Sequence, residues 1–451
     1  MTRYAVLFAI GLAVYGTLAW SRLGGQSIAP HFVIQADAWL HGQTTIEQPV
    51  PGGWGNDWAK VDTVVLADGR EVRGRYARNE FRILGGEVVP AASVRKRLGS
   101  TAYMSFPPLP TLLMLPSAAV AGRAGSDTIP NLLVAALIPP LALLVLRRLA
   151  AAGLSKRSEG DDLWLVALLA FGTVMLYASV QASVWYLAHV CGVVLALVYA
   201  WAAIEAKRPL VAGLALGAAA LTRTPMAFMF PLFVLEAIRM AGGPRQWRAA
   251  VAPVLRFAAP VVAFAIAGGL YNYVRFGSFS EFGHTYLEVR QQAQIEEHGL
   301  FSGHYLLRNL VVAFLQVPLS IPRWPYVAFS GHGLALWVTT PALALLASRA
   351  KSPIRTALWV TIACVALPSL LYQNTGWVQF GYRFALDYMV FVVMLIACCG
   401  RALTVPAKLL IVASVVVNIA GAIVFGRFDD RFVVADYDHV QVLGGLTSVA
   451  N

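Results

Sequence analysis

The sequence predicts an all-α polytopic membrane protein with about eleven transmembrane helices. Juxtamembrane helices on the outer face and a small β-rich insert in the first outer loop complete the expected fold. Three observations carry this. Of the 451 residues, 58% are hydrophobic and only 13% are charged, where a soluble domain carries about 25% charged residues. Mean hydropathy is +0.65. About eleven apolar stretches approach the roughly 20 residues that a spanning helix needs. Disorder is excluded, and a water-soluble fold of this size is disfavoured. The apolar runs are continuous, not alternating, which rules out a β-barrel. Helices are then the way to satisfy the backbone in lipid.

The first span, within residues 1–22, reads as uncleaved. Its apolar run from Ala5 to Trp20 is long for a signal peptide, and Trp20-Ser21-Arg22 is a poor cleavage site. The net charge of +12 comes from 35 Lys and Arg against 23 Asp and Glu. No nucleic-acid motif accompanies it, and the positive-inside rule accounts for it. The basic loops at Arg147, Arg148, Lys156 and Arg157, at Lys207 and Arg208, and at Arg239, Arg245 and Arg248 read as cytoplasmic. So do those at Arg349, Lys351 and Arg355 and at Arg401 and Lys408. Spans starting near Ala5, Thr128, Asp162, Trp185, Pro209, Pro225, Val251, Gly333, Thr356, Phe384 and Pro406 satisfy this. The N-terminus is then cytoplasmic and the polar tail, residues 426–451, lies outside and is at best partly ordered. The transmembrane bundle is residues 128–425, with outer loops near 271–332 and 372–383. The Ala, Gly and Arg bias points to a bacterial inner (plasma) membrane. Cys191, Cys364, Cys398 and Cys399 all lie in apolar runs, which argues against a disulfide framework.

Residues 23–127 form the first outer loop. His31 to Leu40 reads as a short amphipathic helix at the interface. Thr63 to Arg73 holds Asp68-Gly69 between two strand-like runs, a hairpin signal, and a second pair of strands flanks Gly85-Gly86. The run from Phe106 to Val120 carries Pro107, Pro108, Pro110 and Pro116. Prolines disfavour a plain spanning helix, so this run is juxtamembrane or re-entrant. Tyr305 to Leu319 has the same placement.

Polar groups crowd the outer face. The first loop offers His31, Gln35, Asp37, His41 and Glu47. The second offers Arg275, Glu281, His284, Tyr286, Arg290, His304 and Arg308. The third offers Gln373, Asn374, Gln379, Tyr382, Arg383 and Asp387. Asp37 is the sharpest candidate, because a carboxylate near hydrocarbon titrates higher and becomes a useful base. A plain helix-surface Asp is the competing reading. Arg383 and Asp387 share a helix face at i and i+4. Asp387 reads best as a structural ion pair, while Arg383 has the fork geometry for phosphate. Arg223 lies between two apolar runs, as a functional or a snorkelling residue. His284 and Tyr286 suit sugar or phosphate contact, or aromatic-belt packing. His189 reads as a packed polar residue, and Arg95, Lys96 and Arg97 as a solvated run. No HExxH, CxxC or paired-His spacing marks a metal site. No cofactor is called for, although a divalent cation stays open.

Taken in order, several segments resemble a known class. These are Gln35-Ala-Asp-Ala-Trp-Leu-His-Gly, Phe106-Pro-Pro-Leu-Pro, Leu221-Thr-Arg-Thr-Pro, Tyr273-Val-Arg-Phe-Gly-Ser and Gln379-Phe-Gly-Tyr-Arg-Phe-Ala-Leu-Asp. The chain resembles the GT-C class of polytopic glycosyltransferases, which use polyprenyl-phosphate sugars. Protein O-mannosyltransferases and lipid A aminoarabinose transferases are among its relatives. The resemblance implies a transferase acting at the outer face on a lipid, glycan or protein acceptor, among membrane lipids and without nucleic acid. It implies an inverting reaction with Asp37 as general base. Arg383, Arg223, Arg275 and His284 would hold the donor phosphate, and His31, Gln35, His41, Tyr286, Tyr382 and Asp387 would contact substrate. The chain departs from the class at three positions. Asp37 stands alone between Ala36 and Ala38, and Phe106 and Arg223 replace lysines. The competing functions are a transporter or flippase of lipid-linked glycans and a non-catalytic assembly protein.

Overall fold

The computed structural model describes residues 2–47, 49, 50, 57–287, 289, 291–322, 324–348, 351–398, 402–434, 436–442 and 445–448. Arg290, Arg349, Cys399 and Arg401 lie outside the described residues. The chain is mostly helical, with one five-stranded antiparallel sheet and, among the described residues, two smaller sheets.

Helix α1 (Thr2–Leu18) is followed by α2 (His31–Leu40), then the sheet, then α3 (Thr111–Ala121). The bundle continues through α4 (Thr128–Ala135), α5 (Ile138–Ala151), α6 (Glu159–Phe171), α7 (Met175–Gln181) and α8 (Val184–Ala203). It goes on through α9 (Pro209–Ala220), α10 (Pro231–Met240) and α11 (Val251–Phe276). Short helices α12 (Gln292–His298), α13 (Leu306–Phe314) and α14 (Leu336–Thr339) precede α15 (Arg355–Leu370), α16 (Leu386–Ala397) and α17 (Val405–Val424).

Four stretches are long and apolar enough to cross a membrane: Thr128–Ala151, Val184–Ala206, Pro244–Phe276 and Val405–Val424. They become five if α6 and α7, bent by 49° at their junction, form one span. The other apolar runs fold into shorter helices. Helix α1 has 17 residues, α9 has 12 and α15 has 16, below the roughly 20 that hydrocarbon requires. Four or five of the expected eleven spans are thus continuous helices of spanning length among the described residues, and Pro and Gly interrupt the other runs. Thr222 to Pro225 ends α9 before α10 begins, and Gly172 separates α6 from α7.

The core centres on α8, whose most apolar stretch is 78% buried, whereas that of the Pro244–Phe276 stretch is only 11% buried. Helix α11 is held by α9 through small residues. A Cβ on Gly213 would sit 2.1 Å from the Phe257 carbonyl oxygen, and one on Gly217 would sit 2.5 Å from the Phe264 ring.

The sheet has the order β4-β3-β2-β1-β5, all antiparallel. Its strands are β1 (Trp58–Leu66), β2 (Glu71–Ala77), β3 (Glu80–Ile83), β4 (Val88–Pro90) and β5 (Val94–Met104). Asp68-Gly69 turns β1 into β2, with Val65 opposite Glu71. Gly69 has φ +88°, a conformation glycine adopts freely. Gly85-Gly86 turns β3 into β4. Ala59, Val61 and Tyr103 pack on Phe276, so the sheet is seated on the end of α11. Pairing of Trp58 with Met104 brings the two ends of the insert together at its base. The residues just outside that pair, Asp57 and Ser105, are thereby delivered to the bundle.

The described part of the tail is tied into the fold. The Arg427 guanidinium donates to the Leu18 and Ala422 carbonyls, at 2.5 Å each, tying α17 to α1. After α18 (Asp429–Phe432), Val433–Val434 pairs in parallel with the Val327–Ser330 strand.

Candidate functional site

A cavity of about 650 Å³ opens where the base of the sheet meets the bundle. Its wall combines the start of α8, the break between α9 and α10, the end of α15 and the loop before α16. The Phe106-Pro-Pro segment is docked there, since the Leu109 N–H donates to the Leu221 carbonyl at 3.0 Å.

Asp57 lies on this wall. Its backbone is left-handed, with φ +58°, which costs a non-glycine residue about 1 kcal/mol. The Ser105 hydroxyl donates to its carbonyl at 2.9 Å. Trp185, in the first turn of α8, donates its indole N–H to the Asp57 carboxylate at 2.6 Å. Burial raises the carboxyl above its usual range, and the Trp185 bond and the Arg383 charge pull it partly back.

Arg383 and Arg223 supply positive charge on the same wall. Arg383 is buried, and its guanidinium donates to the Gly376 carbonyl. It lies 5.4 Å from the Tyr186 ring centre. The loop before it is built around Gln379, whose amide nitrogen donates to the His332 and Thr375 carbonyls at 2.8 Å and whose oxygen accepts the Arg383 N–H at 3.0 Å. Arg223 is held by both oxygens of Asp387, at 2.6 and 2.9 Å. His189 completes the cluster, with Nδ1 3.1 Å from Asp387. Asp387 thus pairs with Arg223 and His189, not with its i−4 neighbour Arg383. The loop places Arg383 above Tyr186 instead.

His284 also lines the cavity, among Phe106, Phe282 and Tyr372. Burial and the Arg275 charge push it down to about 4. That direction favours the neutral ring.

The other sequence candidates are placed elsewhere. Asp37 is not on the cavity wall. Its carboxylate lies 3.7 Å from His41 Nδ1 and is 18% exposed. A Cβ on Gly122 would sit 3.4 Å from it, so this face of α2 abuts the end of α3. His41 is exposed, with a ring nitrogen 2.8 Å from the Asp37 carbonyl. His31 is buried and stacks on Trp58 with ring centres 3.9 Å apart. Gln35 is fully buried inside the loop. Arg275 is buried and donates to the Met104 carbonyl at 2.6 Å and to Asn272 at 2.9 Å. It clamps the end of β5 and does not face the cavity. Tyr286 stacks on Phe276, and Tyr382 is enclosed in the core.

Asp57, Trp185, Tyr372 and Arg22 line the cavity and are absent from the sequence candidates. For Asp57 one signal was available: it follows the Gly52-Gly-Trp-Gly-Asn run and precedes the first strand, where a chain must turn sharply. Nothing local marks the other three. Among the described residues, no group of three or more His, Cys, Asp or Glu is placed to hold a metal ion.

The wall thus joins one carboxylate of raised proton affinity, the guanidinium groups of Arg22, Arg223 and Arg383, and an apolar border of Phe106, Pro107, Pro225, Phe301 and Pro368. Such a site can take a proton from a hydroxyl while holding an anion against an apolar chain. No protein-family model matches the chain, and no curated protein or solved structure is significantly similar to it.

Proposed function

We propose that the chain is an inverting membrane glycosyltransferase of the GT-C type. It moves a sugar from a polyprenyl-phosphate donor to a hydroxyl of a lipid, glycan or protein acceptor. In this reading it spans a bacterial inner membrane about eleven times, with the N-terminus cytoplasmic and the cavity facing outward. The observation that supports it most is Asp57. It is a carboxylate of raised proton affinity, held by Trp185 in one cavity with Arg383 and Arg223.

The base is then Asp57, not Asp37. The Asp57 carboxylate takes the acceptor hydroxyl proton as the acceptor oxygen bonds to the anomeric carbon. The bond from that carbon to the phosphate oxygen breaks, and its electron pair leaves with the polyprenyl phosphate. Configuration inverts, and Asp57 ends the step protonated. Arg383 and Arg223 stabilise the charge growing on the phosphate. Phosphate leaves without being protonated, so the second carboxylate usual in glycoside hydrolysis is not needed. Arg275 acts here by fixing β5, and neutral His284 contacts substrate only through its ring or one hydrogen bond.

The test is a transfer assay on the purified full-length protein with radiolabelled polyprenyl-phosphate sugars and membrane extract as acceptor. Consumption of one donor by wild type and Asp37→Asn, abolished in Asp57→Asn, is the expected result. A donor that binds tightly and is never consumed would overturn the reading in favour of a transporter.

A further inference from the structure

The same cavity has a second charged end that the transfer step leaves unused. Arg22, Gln26, Ser27, Gln181, Gly426 and Asp429 line it. Arg22 closes the short turn Trp20–Arg22 after α1. The one hydrogen bond its guanidinium makes among the described residues is a long one, 3.4 Å to the Val180 carbonyl. The neighbouring Arg427 is different, since its guanidinium is committed to Leu18, Ala422 and Ser21. Asp429 accepts the Gly426 N–H at 2.6 Å. Among the residues lining this end, Arg22 is the one cation and Asp429 the one carboxylate, and no ion pair joins them among the described residues. Burial and the charge of Arg427 lower the proton affinity of Arg22, and Tyr177, Asp429 and Tyr186 pull it partly back.

Two donors converge at Gly426. Its φ is +76°, and a Cβ there would sit 3.3 Å from Gln181 Nε2 and 3.4 Å from an Arg22 terminal nitrogen. Gln181 Nε2 is buried and has no acceptor among the described residues. Buried donors are almost always paired, so an unpaired one beside an arginine that joins no ion pair among the described residues is suited to an anionic oxygen. Tyr186 and Tyr177, with rings 5.1 Å apart, stand between the two ends. Tyr186 lies under Arg383 at 5.4 Å and feels the charge of Arg22 as well.

We propose that Arg22 and Gln181 form a second anion subsite that holds a phosphate group of the acceptor, while Arg383 and Arg223 hold that of the donor. This rests on the transferase reading and adds to it that the acceptor is a phosphate-bearing molecule. Its hydroxyl then reaches Asp57 from the side opposite the donor.

The experiment uses full-length protein in phosphatidylcholine nanodiscs saturated with undecaprenyl phosphate and titrated with inorganic phosphate. Arg22→Gln should weaken inorganic phosphate at least about tenfold, the worth of one charge-assisted hydrogen bond. It should leave undecaprenyl-phosphate affinity within about twofold, while Arg383→Gln does the reverse. Arg22→Lys, which keeps the charge, should recover most phosphate affinity and controls for folding. Competition by phosphatidylglycerol would support the site and assign its phosphate to a lipid headgroup. Arg22-dependent phosphate binding without that competition would support it and assign a soluble phosphate ester. Unchanged phosphate binding in Arg22→Gln overturns the subsite, as does a loss of undecaprenyl-phosphate affinity equal to that of Arg383→Gln. If undecaprenyl phosphate does not bind wild type at all, the transferase reading fails. Arg22-dependent phosphate binding is then still measured independently.

Discussion

Helix α2 and the turn at Asp57 lie in the stretch between α1 and α3, and each carries a carboxylate. Asp37 sits in a helix whose buried face is occupied by His31, Phe32 and Gln35. Its carboxylate is left beside His41 and the end of α3. Asp57 sits in a left-handed turn, fixed by the Trp58–Met104 pair and by Trp185, a residue 128 positions away. The helix advertises its carboxylate by its regular pattern. The turn does not, yet it is the turn that reaches the cavity. Amphipathic periodicity reports which face meets the membrane surface, and it is silent about which loop residue closes on a distant helix.

The contrast can be broken by experiment. The largest effect expected is on Asp57→Asn, which should lower turnover by about 10²–10⁴, the worth of a general base. Asp37→Asn should stay within a few-fold. A reversed order, read from donor consumption, would return the base to α2. Next comes Arg383→Gln, which should cost about 10²-fold in turnover by removing charge stabilisation from the leaving phosphate. A change confined to KM would instead mark plain substrate binding.

Trp185→Phe should cost about tenfold in turnover and move the pH profile. The Asp57 carboxyl is raised above its ordinary range, and only its ionised form is the base. Activity should therefore fall as pH drops through a value above about 3.9, the ordinary aspartate value. Loss of the indole N–H, which favours the ionised form, should move that limb higher. A limb that stays put would show that Trp185 does not tune the group.

The smallest effect concerns His284, held down to about 4. An unfolded histidine titrates near 6.5, so between these values the unfolded chain binds a proton that the folded chain does not. His284 thus destabilises the fold progressively as pH falls from about 6.5 to about 4, and not above. Thermal melts over that window should flatten in His284→Gln.

Local chemistry explains what the sequence made legible. Asp68-Gly69 and Gly85-Gly86 name their own turns, and the prolines after Phe106 set a short helix apart from a span. Arg223 and Arg383 stand out as cations at the edges of apolar runs. Pairing is where such reading stops. Asp387 looks toward Arg383 by helix spacing but is bonded to Arg223, 164 residues away. Arg275 has the chemistry of a phosphate ligand, yet its guanidinium is used on the Met104 carbonyl. Helix lengths were less legible, because hydropathy does not show where a break such as Thr222 to Pro225 ends a helix.

The stack of His31 on Trp58 ties these two parts of the loop together. The rings are parallel within 7°, and Trp58 is the residue that follows Asp57. Helix α2 is thus a foundation on which the Asp57 turn is set. In a saturation screen scored only for lost activity, its buried positions would light up like a reaction centre. Scoring protein abundance beside activity would tell the foundation from the chemistry it supports.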